Sequence, residues 1–155
     1  MLERETTWTT QFIEEKSMGS KNHAFVQVAL IGALLRYIDK FTILSELTLD
    51  LKPQPLTPDI CIYPKINPNW FQDEIKVATM PLTVIEIISP TQGSYLFSEK
   101  MMIYFENGVQ SCWLVEPMLR TIAIFMPDKN SHVYSVGQLV DPVTNITITL
   151  NEIFV

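Results

Sequence analysis

Asp59, Glu86 and Lys100 are residues of the types that phosphodiester hydrolysis employs, and each stands where its side chain needs an explanation. Glu86 lies inside the apolar run Leu82-Thr83-Val84-Ile85-Glu86-Ile87-Ile88, and strand alternation points it to the side of Leu82, Val84 and Ile88. A carboxylate buried there without a partner is costly, so it calls for a cation or a metal ion. Arg36 and Arg120 are the only arginines outside the N-terminal tail that could pair with it. Asp59 follows Pro58 and opens the run Asp59-Ile60-Cys61-Ile62-Tyr63. Two carboxylates on adjacent strands make an oxygen-rich pocket that suits Mg²⁺ or Mn²⁺ rather than zinc. At about 100° per residue, Phe97, Met101, Tyr104 and Phe105 share one helix face, and Lys100 falls at its edge beside Tyr104. A lysine so placed can run along a helix–sheet seam toward the strand end. There it can position water or offset charge developing on a phosphate.

The elements that must hold these residues are readable from periodicity. Ser20 or Asn22 can cap a helix running to about Lys40, with Phe25, Val26, Ala29, Leu30, Ala33, Leu34, Tyr37 and Ile38 at helical spacing. That stretch is apolar nearly all round, which predicts a helix covered on more than one side. Alternation suggests a strand over Phe41–Leu51, broken by Lys52-Pro53-Gln54-Pro55. Further strands are expected at Pro58–Tyr63 and at Leu82–Ser89, the latter with the near-continuous hydrophobicity of a strand buried on both faces. Between them, Pro64 to Pro81 reads as a long irregular segment. A second helix is expected from about Phe97 to Glu106, closed by Asn107-Gly108. Strands at Ser111–Val115, Thr121–Met126 and His132–Val136 follow, with a short one at Ile146–Leu150. The unit from Leu82 to Val115 can form a strand–helix–strand crossover. The fold class is α/β (α+β), a mixed central sheet flanked by helices, in one domain spanning residues 1–155.

Composition bounds the function. Of 155 residues, 47% are hydrophobic and 18% charged, which argues for a packed core and against disorder. No apolar stretch is long and clean enough to span a bilayer. The opening Met-Leu-Glu-Arg-Glu carries no apolar signal segment, and Cys61 and Cys112 lack CxxC spacing, so a cytoplasmic protein with reduced thiols is expected. A net charge of −6 counts against a tight, independent nucleic-acid binder, which counterion release would favour on a basic surface. The five glycines form no phosphate-cradling loop. Ser45 and Ser89 have no base at a recognisable spacing, so a serine hydrolase finds no support.

The ordered succession Pro58-Asp59, Val84-Ile85-Glu86-Ile87-Ile88-Ser89-Pro90, Glu99-Lys100, Tyr104, Gly108-Val109 and Trp113-Leu114-Val115-Glu116-Pro117 resembles the Uma-two family. These are restriction-endonuclease-like proteins of the PD-(D/E)xK superfamily, and the resemblance runs from roughly His23 to Ile124. It implies a restriction-endonuclease-like sheet, with Asp59 and Glu86 as the metal-binding acidic pair and the Ile87 carbonyl as a further ligand. The superfamily lysine sits two residues after the glutamate. That position is Ile88 here, and the resemblance implies that Lys100 on the following helix replaces it. A further acidic residue before the first helix matches Glu14 or Glu15, and His23 matches a histidine common at the helix start, where capping or packing is the simpler role. Tyr104 is expected in the core with its hydroxyl near the site. Two positions depart from the family pattern: Leu96 stands where an aspartate is usual and Ser111 where a glutamate is usual.

The resulting expectation is a Mg²⁺- or Mn²⁺-dependent nuclease acting on DNA. The alternative is a nuclease-fold interaction module with weak or no catalysis. Apolar edges near the late strands suggest a homodimer in either case.

Overall fold

The computed structural model describes residues 19–90 and 93–155, and every structural statement below concerns those residues. Helix α1 spans Lys21–Leu34 and is followed by a 3₁₀ turn, Leu35–Tyr37. Strands β1 (Phe41–Ser45), β2 (Ile60–Pro64) and β3 (Thr83–Ile87) precede helix α2 (Ser94–Glu106). Strands β4 (Ser111–Glu116), β5 (Thr121–Phe125) and β6 (Ser131–Tyr134) complete a six-stranded sheet in the order β1-β2-β3-β4-β5-β6. A separate ladder pairs β7 (Gln138–Val140) with β8 (Thr147–Thr149), and a short helix α3 (Leu150–Ile153) ends the fold. All neighbours in the large sheet are antiparallel except β3 and β4, which are parallel and joined through α2. That is the expected crossover, because parallel neighbours need a connection long enough to return the chain.

Period-two alternation divides the apolar residues between two layers. Ile60, Ile62, Ile85, Ile87, Trp113 and Val115 face one core with Leu30 and Leu34 of α1 and with the β7–β8 ladder. Cys61, Tyr63, Val84, Cys112 and Leu114 face the other, against Phe97, Ile103 and Tyr104 of α2 and Leu49, Leu51 and Leu56 of the β1–β2 connection. Glu86 shares the parity of Val84 and therefore points to the α2 side, as the sequence pattern indicates.

Several boundaries differ from expectation. Ser20, not Asn22, caps α1: its hydroxyl accepts from the His23 amide at 3.2 Å. The helix also stops well before Lys40, and the described residues cover it on one side only, with Phe25 66% and Val28 71% exposed on its outer face. Strand β1 ends at Ser45 instead of Leu51, because Glu46 adopts φ 55° and turns the chain out of the sheet. Beyond it Leu49 makes only isolated bridges, to Leu56 and Val77. Helix α2 begins at Ser94, ahead of Phe97. Strand β7 is too short for its alternation to stand out, and β8 gives way to α3 at Leu150. No helix is long and apolar enough to cross a membrane.

At the start of β3 and β4 a polar cluster ties the large sheet to the β7–β8 ladder. The Thr83, Ser111 and Thr144 hydroxyls approach Asp141 Oδ2 at 3.1, 3.2 and 2.9 Å, and the Val143 amide donates to Oδ1 at 3.2 Å. Asp141 is completely buried. Ser111 thus spends its side chain on this cluster, at the end of β4 remote from Glu86. Replacing Asp141 by alanine strands the buried hydroxyls, so Asp141→Ala should lower the unfolding free energy by on the order of 3 kcal/mol. Urea denaturation checks this, and an unchanged midpoint would show that the cluster holds nothing together.

Candidate functional site

The register of β2 and β3 creates the site. Ile60 pairs with Ile85 across an antiparallel ladder, so the next step outward sets Asp59, just before β2, opposite Glu86, the last residue but one of β3. The Ile87 amide donates to Asp59 Oδ2 at 2.7 Å and locks that carboxylate to β3. Asp59 Oδ1 lies 3.0 Å from His23 Nε2, which α1 brings in from the opposite layer. Asp59 and His23 are both buried.

Glu86 is gripped from the other side. Lys100 and Tyr104 sit one turn apart on α2, the spacing that stacks two side chains on one helix face. The Tyr104 hydroxyl donates to Glu86 Oε1 at 2.6 Å, the short distance of a hydroxyl on a carboxylate. Lys100 Nζ lies 3.8 Å from Glu86 Oε2, an ion pair rather than a formed hydrogen bond. Lys100 is only 4% exposed, so its charge is screened little by water. Arg36 does not serve Glu86; it forms a surface pair with Glu152 at 2.7 Å. Burial first, and then the neighbouring charge of Glu86, hold the Tyr104 phenol well above its ordinary pKa. Burial likewise raises the Cys112 thiol, with smaller contributions from Glu86 and Asp141.

A cavity of about 180 Å³ opens over these groups, lined by His23, Asp59, Glu86, Ile87 and Lys100 together with Gln27 and Glu46. A much smaller opening beside it is lined by Glu86, Lys100 and Leu96, so the residue that departs from the family pattern borders the site as an apolar wall. The structure therefore brings together Asp59, Glu86, Ile87, Lys100, His23 and Tyr104. Glu14 and Glu15 lie outside the described residues. Among the described residues, no three or more His, Cys, Asp or Glu side chains cluster closely enough to hold a metal ion. Asp59 and Glu86, with Glu46 on the cavity wall, are the carboxylates that the described site offers.

Gln27 and Glu46 escaped sequence reasoning. Gln27 Nε2 donates to Glu46 Oε1 at 3.0 Å and to the Asp59 carbonyl at 3.3 Å, while the Glu46 amide donates to the same carbonyl at 3.1 Å. One signal was present: Gln27 lies four residues after His23, on the same helix face. Glu46 owes its place to the left-handed turn that ends β1, which no local pattern announces.

A family model described as "Uma2: Putative restriction endonuclease" matches residues 6–150 of the chain. Among solved structures, the chain is similar to a crystal structure described as a putative nuclease belonging to DUF820, from Anabaena variabilis ATCC 29413. The TM-score is 0.78 at 18% identity, over 91% of this chain and 84% of that one. At that identity the likeness establishes the fold: a mixed sheet with flanking helices. No curated protein matches.

The grip of Tyr104 on Glu86 has a pH signature. In the folded state the phenol keeps its proton above the ordinary tyrosine range, whereas the unfolded chain releases it near pH ~10. The unfolded state then binds fewer protons, so this contribution to stability is complete below about pH 10 and is lost as pH rises toward the folded pKa. Tyr104→Phe should therefore show a shallower alkaline decline than the wild type. It should also be less stable at neutral pH by about 1–2 kcal/mol, because Glu86 loses its donor. Urea denaturation between about pH 8 and about pH 11 reads both effects. Parallel curves for the two proteins would contradict the pairing.

Proposed function

Because the chain belongs to the Uma2 family of restriction-endonuclease-like proteins, we propose that it is a divalent-metal-dependent nuclease hydrolysing DNA phosphodiester bonds in the cavity between Asp59, Glu86 and Lys100. The observation that carries this reading is the pairing of two buried strand-end carboxylates with a buried lysine 3.8 Å from one of them, all lining one cavity. A structural ion pair needs neither the second carboxylate nor the space.

The donor set fits Mg²⁺ or Mn²⁺. Asp59, Glu86 and the Ile87 carbonyl offer hard oxygen ligands, and Mg²⁺ keeps several waters while leaning on one or two carboxylates. Bound there, such an ion supplies an acidified water and neutralises charge on the phosphate. The chain's own groups do the rest. Tyr104 and Lys100 fix the direction of Glu86; the Ile87 amide and His23 fix Asp59. The Lys100 ammonium, already desolvated, is poised to meet negative charge growing on the phosphate oxygens, where a preorganised cation counts most. Glu14 or Glu15 is the residue that could add a further carboxylate. A duplex has two strands to cut, so we take two copies as the working unit, and a cytoplasmic setting fits the buried Cys61 and Cys112, neither of which is in a disulfide.

A second reading has its own observation. Both oxygens of Asp59 and both of Glu86 already face protein groups, namely His23, the Ile87 amide, Tyr104 and Lys100. A site satisfied in this way could serve a scaffold that binds partners without cutting, which also suits the net charge of −6.

Cleavage of supercoiled and single-stranded DNA with Mg²⁺ or Mn²⁺ separates the two readings. Asp59→Ala, Glu86→Ala and Lys100→Ala should each reduce metal-dependent cutting by on the order of 100-fold or more. Calorimetric Mn²⁺ binding should vanish in the first two variants. Equal background cutting by wild type and Glu86→Ala, with no Mn²⁺ binding, favours the scaffold.

A further inference from the structure

Two apolar features of the surface lie outside the hydrolytic site, and they complement each other. The first is the tip of the long β2–β3 connection, where Trp70 is 89% and Phe71 100% exposed. Their exposure is built, not incidental. Asn69 Oδ1 accepts from the Phe71 amide at 3.1 Å, the Asn69 carbonyl from the Gln72 amide at 3.2 Å, and Asn69 Nδ2 reaches Gln72 Oε1 at 3.4 Å. This asparagine-centred turn presents two adjacent aromatic rings to solvent, and a backbone tied at the turn lowers the ordering cost of inserting them into a partner. Asp73 and Glu74 follow at once and are exposed.

The second feature is a groove of about 870 Å³ on the face of α1 that the described residues leave open. Phe25, Val28 and Ala29 line one wall and Ile153 and Phe154 another, and among the described residues Lys21 and Arg120 are the charged side chains of the lining. Lys21 Nζ stands 6.0 Å from the Phe25 ring centre, which keeps positive charge at the mouth. The prong cannot fill the groove of its own chain. Val77, at its base, is bonded to Thr48 and Asp50 and packs in the α2-side core, whereas α1 covers the opposite face of the sheet.

We infer that the Trp70–Phe71 prong of one copy docks in the α1 groove of a second copy, with Asp73 and Glu74 set against Lys21 and Arg120. Aromatic rings entering an apolar groove inside a rim of opposite charge are the usual anchors of an interface. Single-stranded nucleic acid, which also stacks on exposed aromatics, is the less favoured occupant because the acidic pair beside the rings repels phosphate. The inference specifies the self-association proposed above and is independent of the hydrolytic chemistry.

Disulfide trapping in full-length protein tests it. A Phe71→Cys copy mixed with a Val28→Cys copy should form a crosslinked pair. Either copy alone, or Phe71→Cys mixed with a copy carrying Met102→Cys on the exposed side of α2, should form far less; the native Cys61 and Cys112 are buried and do not compete. In sedimentation velocity, the double variant Trp70→Ala/Phe71→Ala and, separately, Val28→Glu should weaken self-association by at least about 30-fold, with unchanged circular dichroism. If both variants self-associate like wild type, copies meet elsewhere: the prong-and-groove contact fails while the pair of copies stands. Monomers throughout overturn both. Binding of an oligonucleotide by the Trp70–Phe71 tip of a monomer also overturns it.

Discussion

The carboxylate of Glu86, placed in the middle layer of an otherwise apolar strand, is the constraint around which the rest is arranged. Its desolvation is tolerable only if something positive and something hydrogen-bonding reach it. The crossover from β3 to β4 lays α2 over the strand, and two α2 residues one turn apart deliver those contacts, Tyr104 at 2.6 Å and Lys100 at 3.8 Å. The antiparallel neighbour then brings Asp59 to the same strand end, tied down by the Ile87 amide. Helix α1 contributes His23 through the opening between the layers. Sheet register, crossover and both main helices are thus coupled at one point.

Strand β3 carries a buried carboxylate near each end, and the contrast between the two is informative. At its start, Asp141 reaches in from the β7–β8 ladder, is met by three hydroxyls and an amide, and is sealed from solvent. Neutral donors around an enclosed carboxylate make a clasp. At its other end, Glu86 faces a cation, a second carboxylate and an open cavity. Two carboxylates lining one cavity are poorly explained as mutual stabilisers, since like charges oppose each other. On the proposed reading, a divalent ion held by both would offset that repulsion.

Much of this was legible in the sequence because burial of charge leaves a local trace. An acid in an apolar strand and a lysine at the edge of an apolar helix face are conspicuous without any structure, and Asp59, Glu86, Lys100 and Tyr104 converge as that pattern indicates. The strand–helix–strand crossover followed from spacing. What periodicity missed is set by turns and tertiary contact. The φ of 55° at Glu46 cuts β1 short and swings an acid into the cavity, while alternation past Ser45 imitated a longer strand. The all-round apolarity of α1 suggested cover on several sides, but Phe25 and Val28 on its outer face are exposed among the described residues. Short strands such as β7 carry too few residues for period two to register.

The central claim is that Asp59 and Glu86 form one metal-binding pair. A crystal of the full-length protein soaked in Mn²⁺ and measured for anomalous scattering tests it most directly. The account predicts a single peak in the cavity, in contact with oxygens of both carboxylates, that disappears in Glu86→Ala. A cavity without a peak, with Asp59 still on His23 and Glu86 still on Tyr104 and Lys100, would contradict it.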